Sequence, residues 1–345
     1  MARRLDKATA ELVAKLEPAL RDAFVAAIQD MRDGIDVKAL RAALERNDIN
    51  AAIAALDISP ASFNEYLAAR QTAFGQAGAL AAGYIPTTEA VAVRFVFDMT
   101  NPRAERWIRE EAGTRITGYV QEQIETARQV IVDGYSEGRG PQDIATDIAG
   151  RVDRVTGKRT GGIVGLSEPQ KGYVQSMRQR LESGDPAEMR KVLDGMTLRD
   201  KRFDGRILKA IEAGKPVAKA DIDKMTRRYS DKLLKRRAED IARTETAQGV
   251  MGSRQESYRQ ALEKEGLPDE ALSKEWLHNG GVKNARDQHL AMNGEKVTGL
   301  STAFVLPDGT RMLHTHDPEG GAKHCTNCRC NTNYEIDFAF KWRNQ

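Results

Sequence analysis

Leu12, Leu16, Leu20, Phe24 and Ile28 recur every fourth residue, an apolar stripe on a helix that stops near Gly34. Val37, Leu40 and Leu44 continue a second, shorter helix. Ser59–Pro60 sets a capping hydroxyl before a proline at the first helical position, and Phe63 and Leu67 share one side of the helix that begins there. The first stretch, to about residue 90, therefore reads as a helical bundle. Val91, Val93, Phe95 and Phe97 alternate with other residues and predict a short strand or an extended connector. Asn101–Pro102 opens a long helix whose stripe, from Ile108 through Ala112, Ile116, Val120 and Ala127 to Ile131, runs to Gly134. After SEGRGP, Pro141 begins another helix through Ile144 and Ile148.

Residues 153–170 break the pattern. Glycine, charge and polar residues cluster there without periodicity, which reads as a flexible loop or interdomain linker. Gly157–Lys158 is followed by Arg159, where a phosphate loop needs a Ser or Thr hydroxyl for magnesium, so a nucleotide site is not expected. Helical character resumes over 171–266, with a pause around Gly205 and Gly214. Met225, Tyr229, Leu233, Ile241 and Val250 predict one long helix stopped by Gly266–Leu267–Pro268. Beyond it, short apolar runs (Trp276–Leu277, Lys296–Val297, Phe304–Val305, Met312–Leu313 and the segment from Tyr334 to Phe338) alternate with turn formers such as Asn293–Gly294 and Pro307-Asp308-Gly309.

The pattern thus predicts an α+β chain, mainly α-helical over its N-terminal two-thirds, with a small loop-rich α+β module at the C-terminus. The expected segments are a helical bundle over 1–90, a long-helix scaffold over 91–152, a linker and helical insertion over 153–224, and the C-terminal module within 225–345. A module of this size has a thin core and often needs a staple.

Composition changes the picture little. Hydrophobic residues at 40% and charged residues at 30% describe a soluble globular protein, and a net charge of +3 leaves no overall polycation to hold nucleic acid. Residues 201–240 are locally basic, with thirteen Lys/Arg against seven Asp/Glu; they read as a solvated helix face, or as a surface for a partner or nucleic acid. The N-terminus is amphipathic without a secretory apolar region, and the most apolar window, Phe74 to Ile85, is too short to span a bilayer. No membrane partner is expected. An odd count of cysteines, all near the end, argues for a reducing cytoplasm rather than a secreted disulfide framework.

The candidate chemistry is concentrated. All five histidines (His278, His289, His314, His316, His324) and all three cysteines (Cys325, Cys328, Cys330) lie between 278 and 330. CxxCxC can turn its thiolates to one tetrahedral ion, and thiolate with imidazole favours zinc. The remaining ligand comes from elsewhere, with His289 the leading candidate. Four protein ligands leave no position for water, so such a zinc would be structural. The cysteines can equally pack as small buried residues without metal. A third reading is a metal-dependent hydrolase or nuclease built on His289, His314, His316, Asp317 and His324, with Asp287 or Glu319 as base, or Cys328 as a nucleophile. No spacing matches a helical HExxH pair, and His314-Thr-His316 reads rather as a solvated or hydrogen-bonded pair. A zinc-stabilised nucleic-acid-binding module is a fourth reading. In IARTETA, Arg243 and Glu245 are two apart on a helix, so they face different ways: either they contact different things, such as the C-terminal module and the helical scaffold, or both belong to an ordinary charged helix surface.

The same residues carry a family resemblance. The C-terminal portion resembles the Mu F-type phage head morphogenesis proteins, also called minor capsid or minor head proteins. In that family a long helix ends in Ala-Arg-Thr-Glu, as at 241–247 here, followed by a tryptophan strand (Trp276) and an Arg-Asp-x-His or Cys-x-x-Cys segment leading to a glycine (Arg286, Asp287, His289, Gly294). A Phe-containing strand (Phe304) and a closing Asn-Cys-Arg-Cys (Asn327, Cys328, Arg329, Cys330) complete it. The likeness covers roughly 225–338 and is looser over 97–150. Cysteine-rich members place cysteines where Arg286 and His289 stand and a histidine three residues before Cys328. With Arg286 one ligand is lost; with Cys325 at the histidine position a ligand is exchanged, so His289, Cys325, Cys328 and Cys330 would still make four. An Arg286–Asp287 branch without metal would instead hold these residues as a hydrogen-bonded core. The resemblance implies a structural role without catalysis. Such a protein works in the host cytoplasm during assembly and in the procapsid or virion head, associated with the portal protein and other head proteins. It supports assembly or DNA packaging and delivery, with packaged DNA a further candidate contact.

Overall fold

The computed structural model describes residues 2–86, 95–280 and 284–343. Helix α1 (Ala2–Gly34) carries the first apolar stripe, and α2 (Val37–Glu45) and α3 (Ile49–Ala54) come next. Each short helix is started by an aspartate: Asp36 accepts from the Ala39 amide and Asp48 from the Ala51 amide, both at 2.9 Å. Ser59 caps a single 3-10 turn that runs into α4 (Asn64–Ala82). Phe95 and Phe97 are buried in extended, unpaired backbone, whereas Val91 and Val93 lie outside the described residues. The Asn101 side chain accepts from the Arg103 amide at 3.0 Å and opens α5 (Pro102–Ser136), with α6 (Pro141–Ala149) beyond it.

A two-residue hairpin, β1 (Arg151–Val152) with β2 (Arg159–Thr160), precedes α7 (Glu168–Glu182), α8 (Pro186–Gly195), α9 (Asp204–Ala213) and the 47-residue α10 (Lys219–Glu265). Gly205 lies inside α9, so the earlier of the two expected pauses falls instead just before it, where Asp200 caps a short 3-10 turn. Gly266, at φ +59°, ends α10.

The C-terminal part holds β3 (Leu272–Leu277), α11 (Asp287–Ala291), β4 (Lys296–Thr298), β5 (Phe304–Val305), β6 (Arg311–Met312), α12 (Gly321–Cys325), β7 (Asn331–Ile336) and α13 (Phe340–Arg343). Strand β3 is central, antiparallel to both β4 and β7, while β5 and β6 pair separately. The chain is mainly helical α+β. Among the described residues no helix is long and apolar enough to cross a membrane.

Two compact units emerge, and both are discontinuous. One comprises 1–23, 66–113 and 239–345; the other comprises 24–65 and 114–238. Helices α1, α5 and α10 each give one stretch to each unit. Consecutive segments drawn along the chain do not reproduce this division, because local periodicity carries no record of which distant helices share a core.

In the second unit the 153–170 stretch departs from the expected flexible linker. Its first half forms the hairpin, and Ile163, Val164 and Leu166 are buried. Irregular backbone can be buried only if its polar groups are met, and here side chains meet them. Arg32 donates to the Val164 carbonyl (2.9 Å), Arg237 to the Gly165 carbonyl (3.0 Å) and Gln123 to the Leu166 carbonyl (3.0 Å), while Gln123 accepts from the Gly165 amide (2.6 Å). Gly165 has φ +95°, and a Cβ there would sit 2.4 Å from Ile28. Part of the basic 201–240 stretch is also neutralised locally: Arg202 and Arg228 share Asp200, and Arg206 pairs with Asp221.

In the first unit Phe74, Phe97, Ile108, Tyr258, Leu272 and Tyr334 share one core. The most apolar helix segment buries one face, with Phe74, Ala77, Gly78, Ala81 and Ala82 inward; a Cβ on Gly78 would collide with the Phe97 ring at 2.2 Å. The inward face of β3 presents Leu272, Lys274 and Trp276, all buried. Lys274 interrupts the apolar series, and its ammonium donates to three carbonyls, of Leu300 (2.8 Å), Thr302 (2.6 Å) and Leu313 (2.7 Å). Burial lowers its pKa to about 8, against the pull of Asp269 and Asp317.

Candidate metal centre

After α11, Gly294, at φ +87°, sets its amide on the Trp276 carbonyl (2.8 Å) and ties the helix to β3, a backbone conformation that glycine adopts without strain. His289, on α11, is thereby buried edge-on to the Trp276 indole, with ring centroids 5.4 Å apart. Phe304 packs against the same indole at 5.5 Å. From the other side, Asn327 takes a left-handed conformation (φ +55°) and feeds Cys328 and Cys330 into the same core before β7 begins.

The ligand atoms of His289, Cys328 and Cys330 all lie within 4.8 Å of one another, and all three residues are buried. These donors can hold a metal ion. His289 Nδ1 is 3.5 Å from each sulfur. Its tautomer is set by its neighbours. The Asp308 carboxylate can only accept, so His324 Nε2, 3.0 Å away, carries the proton of that ring. With both rings neutral, His324 Nδ1 then accepts from His289 Nε2 (3.1 Å), leaving the His289 Nδ1 lone pair facing the thiols. A carboxylate–imidazole relay behind a ligating histidine is how metal sites fix ring orientation and raise basicity.

The two sulfurs are electrostatically one group. The Cys330 thiol donates to Cys328 and holds it well below the ordinary thiol range, with help from His316 and His289. The Cys328 thiolate correspondingly pushes Cys330 up. A divalent cation would make both sulfurs thiolates.

Cys325 does not join them. It is buried at the end of α12, and its thiol donates to the Asp317 carbonyl at 3.0 Å. None of the three cysteines is in a disulfide. The remaining histidines divide. His278 is half-buried; His314 is fully enclosed, bonded to the Thr315 carbonyl (2.7 Å) and lowered in pKa by burial. His316 is buried with its Nε2 on the Cys330 carbonyl (3.0 Å). The His314–His316 pair is therefore hydrogen-bonded and not solvated. Among the described residues no carboxylate joins the three-donor group. Asp287 and Glu319 are not buried, and Asp317 accepts from the Leu313 (2.6 Å) and Glu319 (3.1 Å) amides.

The other motif residues build the support. Arg243 donates to the Asn327 side chain (3.0 Å) and pairs with Glu17 (3.3 Å). The Asn327 amide donates to the Thr244 hydroxyl (3.1 Å), and its side chain donates to Asp240 (3.0 Å). Glu245 faces the other way, into a buried ion pair with Arg70 (3.0 Å) and a hydrogen bond from the Tyr66 hydroxyl. Removing one partner of such a pair typically costs about 3–5 kcal/mol. Arg286 donates to the Thr326 carbonyl (2.7 Å), whereas Arg329 is exposed.

A cleft of about 780 Å³ opens beside the centre, lined by Asp6, Thr9 and Val13 of α1, Arg243 of α10, and Cys328 and Cys330. In the sequence Asp308 stands out only as a turn residue; its place behind His324 depends on the β5–β6 turn, which no local pattern reveals. No family model, curated protein or solved structure matches the chain.

Proposed function

We propose that the chain is a minor head protein of a tailed phage or prophage, associated with the portal vertex inside the procapsid and supporting head assembly and DNA packaging or delivery. The observation that carries this reading is the junction between the α10 motif and the closing motif. Asp240, Arg243 and Thr244 all bond Asn327, more than eighty residues later, while Glu245 anchors the opposite face of the helix. The landmarks of the family resemblance thus serve to fasten a small module onto a long helix, as an architectural protein requires. In the same reading His289, Cys328 and Cys330 hold a zinc whose role is to brace that module.

Mass spectrometry of purified procapsids and mature particles tests the assignment. Reproducible, sub-stoichiometric peptides of this chain are expected, and a difference between the two particles dates its departure. Complete absence from both, with the protein soluble in the lysate, would sink it. Metal analysis of the purified chain should return about one zinc per molecule.

A further inference from the structure

We propose that His316 is the fourth ligand of this centre, through Nδ1, and that Cys325 is not a ligand. The inference rests on the metal reading above and goes beyond the three donors already grouped.

The tautomer of His316 is fixed without reference to any metal. A backbone carbonyl cannot donate, so the 3.0 Å contact with the Cys330 carbonyl requires the proton on Nε2. The neutral ring then carries its lone pair on Nδ1. That atom is buried and finds no hydrogen-bond partner among the described residues. His316 as a whole is 2% exposed, at the edge of the cleft beside the centre. A buried acceptor without a donor is uncommon and calls for an explanation.

The backbone supports the same conclusion. His316 has φ +63°, a conformation uncommon for residues other than glycine. Its neighbours hold it there: the Thr315 amide bonds Thr332 Oγ1 (2.8 Å) and the Asp317 amide bonds the His314 carbonyl (3.2 Å). Local strain of this kind accumulates where a side chain must be aimed. The two histidines then share one plan. Each has its outer ring nitrogen tied to a protein partner, His289 through His324 and His316 through a carbonyl; the other nitrogen of His289 faces the sulfurs, and that of His316 is buried without a hydrogen-bond partner among the described residues. Two thiolates and two imidazoles make a closed tetrahedral zinc set. His316 is not among the atoms within 4.8 Å of one another, so closure on the ion draws its ring inward. Cys325 has the opposite character: its sulfur retains a proton and donates it to a carbonyl.

Cobalt(II) in place of zinc in the full-length chain reads the ligand set directly. Wild type should show tetrahedral ligand-field bands with sulfur-to-cobalt charge transfer from two thiolates. His316→Cys should raise that charge-transfer intensity about one and a half times, as a third thiolate enters. His316→Ala should shift the ligand-field bands and weaken zinc binding by about 100-fold or more. Cys325→Ser should leave both unchanged. Loss of about a third of the charge transfer in Cys325→Ser would overturn the assignment. So would wild-type spectra and affinity in His316→Ala, with no added charge transfer in His316→Cys, since water from the cleft would then hold the fourth position. Failure of wild type to bind cobalt or zinc removes the whole centre, and this assignment with it. Binding that ignores His316 removes only the fourth ligand.

Discussion

Two buried polar clusters lie within the same C-terminal module, and they are balanced differently. At Lys274 a cation sits among three carbonyls, with every donor of the ammonium used. At His289, Cys328 and Cys330 the arrangement is inverted: three lone-pair donors face one another, and the nearby His316 Nδ1 has no hydrogen-bond partner among the described residues. Both clusters interrupt an apolar core. The difference teaches how to separate a finished structural device from one that awaits an ion: count what each buried group donates and accepts. The Lys274 cluster is complete with protein atoms alone, and the sulfur cluster is the one whose donors can hold an ion.

The largest effect should come from emptying the second cluster. Chelation, or Cys328→Ser, is expected to destabilise the module by several kcal/mol, out of the order of 10 kcal/mol that structural zinc contributes in small domains. Hydrogen exchange of the β3 and β7 amides is the readout. Cys328→Ser should lower the melting temperature more than His314→Ala, since His314 is already satisfied by a carbonyl; equal melting temperatures would erase the distinction between the clusters. Next comes Lys274→Met, which leaves three carbonyls without their donor and should cost about 3 kcal/mol with or without chelator. A loss that disappears when metal is removed would show that the two clusters are one.

The smallest effect is the pH dependence. Lys274 has a folded pKa of about 8 against an ordinary value of 10.5, so between those values the unfolded chain binds more protons. Its contribution to stability should rise with pH across that window, by about 1 kcal/mol per pH unit, and be flat below it. Lys274→Met should abolish that slope in urea titrations.

Much of the scaffold was readable in the residues themselves. Ser59 and Asn101 mark helix starts, and Gly266 with Pro268 marks the end of α10, because capping and termination are local chemistry. The opposed faces of Arg243 and Glu245 came from helical periodicity alone. The buried 163–166 segment did not, since its carbonyls are met by Arg32, Gln123 and Arg237 from distant helices. At the centre, the grouping of His289 with Cys328 and Cys330 was legible and the separate place of Cys325 was not. Cys325 and Cys328 share a CxxC spacing that suggests joint ligation, yet α12 ends at Cys325 and turns its sulfur to Asp317. His316 looked like half of a loop pair because a positive φ cannot be seen in a sequence.

Cys328 lies 39 residues beyond His289, and that separation has a consequence of its own. An ion bound between them closes a loop containing β4, β5, β6 and α12, and so removes from the unfolded chain much of the freedom that a disulfide would remove, roughly 4 kcal/mol for a loop of that size. Unlike a disulfide, such a cross-link forms without an oxidant and opens when the ion is withdrawn, leaving no covalent trace. The module would then be clamped or released by the free zinc concentration around it.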